Sequence, residues 1–291
     1  MVERTPLFAE SWSVAWREKP CGTLLKDLDT PFEIIPNSVR YWAADPFLFV
    51  YHGETYIFAE LYDYITRKGV LGYCKWNGKC FDPWKKVISE TYHLSYPCIF
   101  EHDGSIYILP ESGANYELYL YRAIRFPDLW EKDKVLRKDI KYGDTTPFVF
   151  EGFPYALAYD VKDKHHYKLI LLDLLNAEND KEVEHTQVNM SRPAGKFFAN
   201  QDKNFRPAQN CVKEYGRGLI FYECEIIENV YSEKPILSIT PQDLRYSKKI
   251  TADGIHTYNS TDSFEVIDIK TRRFNLLNLI SRMIGKIGRG I

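Results

Sequence analysis

The sequence predicts an all-β protein: a five-bladed β-propeller over residues 1–270, followed by a basic C-terminal tail, 271–291, that forms a short amphipathic helix. Three observations predict it. A motif recurs about every fifty residues, each copy alternates like a β-hairpin, and strand-like segments are left over at both ends.

The first copy begins at Asp45, D-P-F-L-F-V-Y-H-G-E-T-Y-I-F-A-E, and the second at Tyr96, Y-P-C-I-F-E-H-D-G-S-I-Y-I-L-P-E. Counted from Pro46 and Pro97, Phe falls at +3, Gly at +7, Tyr at +10 and Glu at +14, with no gap. A third copy starts at Thr146 with a turn two residues shorter (Pro147, Phe150, Gly152, Tyr155, Tyr159). A weaker fourth is assigned to Pro207, Gly216 and Glu223. In each copy a strand follows the proline, glycine marks the turn and an aromatic strand returns. Val70–Trp76, Glu117–Arg122 and Tyr167–Leu175 supply third strands, making about four strands per unit, the content of a propeller blade. Trp12–Arg17, Phe32–Ile35 and Ile255–Ile269 remain. Pairing them builds a fifth blade and removes the open sheet edges. A β-sandwich or barrel is the competing architecture.

The 291 residues carry a formal net charge of -2, which does not suit a nucleic-acid partner. Aromatic residues make up 15%; most are core, and some are of the kind that stacks on a sugar ring. The residues Met1–Glu10 lack the apolar run of a secretion signal, and no stretch of 18 apolar residues exists. The six cysteines form no C-x-x-C pair. These features lead to the expectation of a cytoplasmic protein with reduced thiols and no metal motif. Motifs for a dinucleotide fold, a P-loop, a zincin and a nucleophile elbow are absent, as is a D-x-D of the kind that holds nucleotide sugars.

Inner strands of a propeller converge on one axis, so equivalent repeat positions form rings. One ring is Asp45, Tyr96, Thr146 and Arg206; the other is Glu60, Glu111, Tyr159 and Glu223. Charged side chains at such positions suggest a wet functional centre. The alternative is that the glutamates cap strand ends or pair with Arg206 and Arg192. Paired carboxylates suit glycosyl chemistry, one protonated and one ionised. Asp45, Glu60 and Glu111 are the catalytic candidates. His93, Tyr96, Asp144, Arg206, Gln209, Asn210, Glu223 and His256 are the substrate-binding candidates; Arg206 with Gln209 and Asn210 suits an anionic sugar or a diphosphate.

A44-D-P-F-L-F49 with the following G-x-x-Y resembles the opening blade of family-43 propeller glycosidases. The stretch H93-L-S-Y-P-C-I-F-E-H-D-G-S-I-Y-I-L-P-E111, with L118-Y-L-Y-R-A, F126-P-D-L-W130, R206-P-A-Q-N and G254-I-H-T, resembles the N-terminal propeller of plant glucosamine inositolphosphorylceramide transferases and their stand-alone bacterial relatives. The resemblance implies a carbohydrate-active fold, often tied to surface-polysaccharide synthesis. It also implies that the hydrolase triad is incomplete: Asp45 matches its base, whereas Tyr96 and Thr146 stand where an Asp and a Glu belong.

The tail has no acidic residue after Asp268 and carries Arg272, Arg273, Arg282, Lys286 and Arg289. Its apolar residues recur at helical spacing, which suits an anionic membrane interface; Gly285, Gly288 and Gly290 oppose the helix. The resulting expectation is a glycosyl-transfer enzyme at the inner face of a membrane. It would use a sugar or nucleotide-sugar donor and a glycan or lipid-linked acceptor. Glycoside hydrolysis with an altered triad and non-catalytic glycan binding are the alternatives.

Overall fold

A computed structural model describes residues 8–19, 30–163, 166–185, 187–200, 203–227 and 230–280. The chain opens with β1 (Phe8–Glu18) and β2 (Glu33–Ile34). Blade one is β3 (Tyr41–Tyr51), β4 (Glu54–Asp63), β5 (Lys68–Lys75) and β6 (Lys85–Ile88). Blade two is β7 (Ser95–His102), β8 (Ser105–Glu111), β9 (Glu117–Arg125) and β10 (Leu129–Lys138). Blade three is β11 (Tyr142–Phe150), β12 (Phe153–Asp160), β13 (Lys168–Asp173) and β14 (Lys181–Val183). Blade four is β15 (Phe198–Asn200), β16 (Lys203–Asn210), β17 (Gly218–Ile227) and β18 (Val230–Ile239). The chain ends with β19 (Tyr258–Ser260) and β20 (Phe264–Phe274).

The fifth sheet has the order β19-β20-β1-β2, so the two ends of the chain close the ring as the leftover segments foretold. β1 and β20 pair antiparallel from Phe8↔Phe274 to Glu18↔Phe264 without a shift in register. The core follows from this architecture. One cluster fills each seam between neighbouring blades: Phe47, Phe58, Tyr96 and Ile108 between blades one and two, and Leu109, Leu118, Ala156 and Leu172 between two and three. Leu157, Leu169 and Tyr231 fill the third seam, Phe221, Tyr258 and Ile267 the fourth, and Val14, Leu48, Ile57 and Val266 the last. Alternating strands put one apolar face on each neighbour, and the blade twist makes the faces complementary.

The inner strands share an irregularity that positions the site. In β3 the register steps from Ala44↔Glu60 to Phe47↔Phe58, three residues against two. β7 repeats the step from Ser95↔Glu111 to Cys98↔Leu109, and β11 from Gly143↔Tyr159 to Thr146↔Leu157. The extra residue in each bulge is held at positive φ: Asp45 at 51°, Tyr96 at 48° and Asp144 at 50°. Such a backbone is uncommon for a non-glycine residue and re-aims the side chain.

The bulges correct the sequence alignment twice. Asp144, not Thr146, is the blade-three counterpart of Asp45 and Tyr96. In blade four the inner strand runs from Arg192 to Asn200, through the Pro193↔Ala208 bridge and β15; Arg206 lies on the second strand and Glu223 on the third. The true equivalents Pro46, Pro97, Thr145 and Pro193 are 51, 48 and 48 residues apart, more regular than the spacing through Pro207. Pro207 misled because R-P-A has the same local pattern as R192-P-A, one strand earlier.

β20 runs to Phe274, and a helical turn follows over 276–280. Asn275 caps it, its Oδ1 accepting the backbone N–H of Asn278 at 3.0 Å. The expected amphipathic helix beyond residue 280 lies outside the described residues.

Candidate carbohydrate site at the propeller axis

The bulge residues and their second-strand neighbours meet at the axis in two buried networks. The first joins blades five and one. Asp268 on β20 accepts the backbone N–H groups of His256 (2.9 Å) and Thr257 (3.0 Å) through Oδ1, and that of Asp45 (3.0 Å) through Oδ2. Asp45 in turn accepts the Thr257 hydroxyl at 3.0 Å and the Tyr96 N–H at 3.1 Å. His256 lies between the two carboxylates, Nδ1 2.5 Å from Asp268 and Nε2 3.6 Å from Asp45. Trp12 stacks on its ring at 3.9 Å, and Tyr215 meets it edge-on at 5.1 Å.

The second network joins blades two, three and four. Arg192 donates from Nε to Asp144 (2.6 Å) and from Nη2 to Glu111 (3.1 Å), and Gln209 Nε2 also donates to Asp144 (2.6 Å). Between the networks stands Glu60. Its Oε1 is buried without a hydrogen-bond partner among the described residues; His93 Nε2 lies 3.5 Å away. His93 Nδ1 accepts the Gly69 N–H at 2.9 Å, which leaves the proton of a neutral ring on Nε2, facing Glu60.

Burial and crowding set the protonation. Burial, then Asp45 and Glu111, push Glu60 well above the usual carboxylate range. Burial raises Asp45 to about 6 against the pull of His256, and Asp144 to about 6 against the pull of Arg192. His256 loses charge preference through burial, but Asp268 and Asp45 outweigh that and raise its pKa. Two carboxyls with separated ionisation therefore share one centre, Glu60 protonated where Asp45 is ionised, and this can support acid/base work. Glu111 and His93, with side chains 21% and 37% exposed, form the open side of the cluster.

Asp45, His256 and Asp268 offer three ligand-type atoms within 4.8 Å of one another. Local spacing has no view of this trio because it joins blade one to blade five. His256 Nδ1 lies against the Asp268 carboxylate at 2.5 Å, and two carboxylates with an imidazole are a donor set of the kind that can hold a divalent cation.

Several predicted binding residues stand elsewhere. Arg206 is buried and fully engaged: Nε and Nη2 each donate to Glu233 at 2.6 Å, and Nη1 donates to the Ser191 carbonyl at 3.0 Å. This pairing holds Glu233 down at about 2 against the effect of its own burial. Glu223 on β17 pairs with Lys203 (3.0 Å) and Lys234 (3.3 Å) on the flanking strands β16 and β18. Asn210 accepts the Val212 N–H in a turn, and Gln209 is a buried support for Asp144. Tyr96 reaches the axis but faces inward: its hydroxyl accepts from the Gly195 N–H at 2.6 Å and donates to Thr146 at 2.7 Å, and Thr146 donates to the Asp144 carbonyl at 3.1 Å. That chain ties three blades together. Sequence reasoning missed Arg192 as a ring member, and with it Asp268, Trp12 and Tyr215. The even spacing of S191-R-P was a usable signal for Arg192; the others are joined to the centre only by ring closure.

The model of the family described as glucosamine inositolphosphorylceramide transferase 1, N-terminal, matches residues 35–249. The glucosamine inositolphosphorylceramide transferase 1 of Oryza sativa subsp. indica is 29% identical over 208 residues, covering 67% of this chain and 28% of the rice protein. The Arabidopsis thaliana protein of that name is 29% identical over 196 residues, covering 63% and 26%. The match thus spans about a quarter of these relatives. Among solved structures, the catalytic domain of a Coprinopsis cinerea GH62 α-L-arabinofuranosidase superposes with a TM-score of 0.57 at 10% identity, over 89% of this chain and 98% of that one. A Xanthomonas citri GH43_1 enzyme gives 0.55 at 9% identity, over 79% and 87%. At such identities these two share the fold. The chain belongs to the family of the N-terminal domain of glucosamine inositolphosphorylceramide transferase 1.

Proposed function

We propose that this protein is a carbohydrate-active enzyme working at the propeller axis, with glycosyl transfer as its reaction, in the assembly of a cell-surface glycan or glycolipid. The observation that carries the reading is the pair of buried carboxyls set apart in protonation, Glu60 held as the acid and Asp45 near 6, beside the more open Glu111 and His93. In transfer, one neutral carboxyl protonates or steers the leaving oxygen, and an ionised one takes the proton of the acceptor hydroxyl. The transferase name of the family's relatives supports transfer. Glycoside hydrolysis is the second reading, supported by the glycosidase fold neighbours. In it the acceptor is water and the same carboxyls serve. A sugar or nucleotide sugar is the proposed donor.

The proposed location is the surface of an anionic membrane. Arg272 and Arg273, the bases at Arg282, Lys286 and Arg289, and the exposed Phe274, Leu276 and Ile280 support it.

A melting-temperature screen against nucleotide sugars, monosaccharides and oligosaccharides tests the function, with wild type and Glu60→Gln compared. A ligand at 100 times its Kd stabilises the fold by about 2.7 kcal/mol. The expected result is a rise with a nucleotide sugar, and turnover in wild type that Glu60→Gln loses while it still binds. A response to oligosaccharides alone, with release of free sugar, selects hydrolysis. Binding without turnover in wild type removes the enzyme reading.

A further inference from the structure

Beside the acid cluster is a recess of about 400 Å³ whose lining contains no carboxylate. Lys141, Arg192, Asn189 and the rings of Tyr159, Tyr167 and Tyr215 form its wall. This is unexpected next to a centre crowded with Asp45, Glu60, Glu111 and Asp144. Arg192 is the partition. Its Nε and Nη2 are used by Asp144 and Glu111, and Nη1 makes no hydrogen bond among the described residues. Lys141 likewise meets no carboxylate there. Tyr167 stacks on the buried Tyr159 at 5.3 Å and 26°, which backs a flat aromatic face of the kind a pyranose ring lies against.

We propose that this recess is a subsite for a sugar bearing an oxyanion, a carboxylate or a phosphate ester. Arg192 Nη1 and Lys141 take the oxyanion, and Tyr167, backed by Tyr159, takes the ring. Guanidinium and ammonium groups at an aromatic wall recognise such a group through charge-assisted hydrogen bonds. Arg192 then does two jobs: it neutralises Asp144 and Glu111 on one edge and presents its other edge to substrate. The inference rests on the carbohydrate reading of the axis and adds the substrate's charge. It also moves anion recognition from Arg206, which Glu233 occupies, to Arg192 one strand inward.

Calorimetric titration of the full chain tests it with glucuronate and galacturonate, with glucose 1-phosphate, and with glucose and galactose. The variants are Lys141→Met and Tyr167→Ala, both outside the buried networks; their melting temperatures check the fold. Acidic sugars are expected to bind about tenfold tighter than neutral ones, and Lys141→Met or 0.5 M salt to erase most of that margin. Tyr167→Ala should weaken neutral and acidic sugars alike. The carboxylate and phosphate arms decide which oxyanion fits, and preference for either supports the subsite. Equal binding of neutral sugars, indifferent to Lys141→Met, overturns the subsite and leaves the carbohydrate reading standing. Absence of binding by every sugar overturns both.

Discussion

Buried polar side chains must be satisfied within the fold, and a charged pair and a neutral hydroxyl illustrate two ways of doing so. Arg206 and Glu233 are both almost fully buried and satisfy one another. Such a pair adds modest net stability, but breaking it leaves an uncompensated charge. Glu233→Ala should therefore cost about 3–5 kcal/mol in denaturant melts; a loss within 1 kcal/mol would show that Arg206 finds another acceptor. Tyr96 is a neutral counterpart. Tyr96→Phe keeps the ring against Phe47 but strands the Gly195 N–H, and should cost about 1–3 kcal/mol. That position was legible as a ring member from the repeat. Its inward direction was not, because the direction depends on a bulge with φ of 48° that no residue type announces.

At the scale of elements, β20 is the seam of the molecule. It pairs with β1 over the whole of both strands and also carries Asp268 to the axis. A chain ended before Gly254 loses the inner two strands of blade five and leaves β1 paired only with the two-residue β2. It should show no cooperative melting; a sharp transition would mean that four blades suffice. Ending the chain at Phe274 should instead leave the melt intact, since β20 is then complete. The same truncation tests the membrane proposal. Flotation with phosphatidylserine vesicles should fall severalfold relative to the full chain, and unchanged flotation would defeat the proposal. The element pattern was readable from alternation and turn glycines in blades one to three. Blade four was misaligned by one strand because its inner strand is interrupted between Pro193 and Phe198, and Pro207 repeats the local motif.

For the whole molecule, the buried acids make stability depend on pH. Asp45 and Asp144 rise from 3.8 to about 6, Glu60 rises further, and His256 also rises. For each of these groups the folded state holds the proton more tightly than the unfolded chain does. Their contribution is fully present below the ordinary pKa and is lost as pH climbs through the folded value. Glu233 acts oppositely: lowered from 4.5 to about 2, it stabilises above 4.5 and is lost as pH falls through 2. Stability should peak near pH 4 and be lower at pH 8 by at least the ~3 kcal/mol that one two-unit shift represents. Chemical denaturation at the two pH values checks this, and equal or greater stability at pH 8 would contradict it. A cation held by Asp45, His256 and Asp268 would offset the decline, so added zinc should raise the melting temperature at pH 8 more than at pH 5.

The sequence by itself determined the propeller, its repeat and its closure by the termini, because strand alternation, turn glycines and the need to bury edges are written locally and recur. It also determined that carboxylates would gather at the axis, since Asp45, Glu60 and Glu111 occupy repeat positions that must converge. Only the tertiary structure decided which charged residues join them. Arg192 rather than Arg206 and Asp268 from the last strand reach the centre, and Asp144, already a candidate, does so as the bulge residue in the place assigned to Thr146. The physical reason is that a one-residue bulge redirects a side chain and ring closure joins residues more than two hundred positions apart, as in Asp45 and Asp268. Both effects are set by the packing of five blades and by no short stretch of chain.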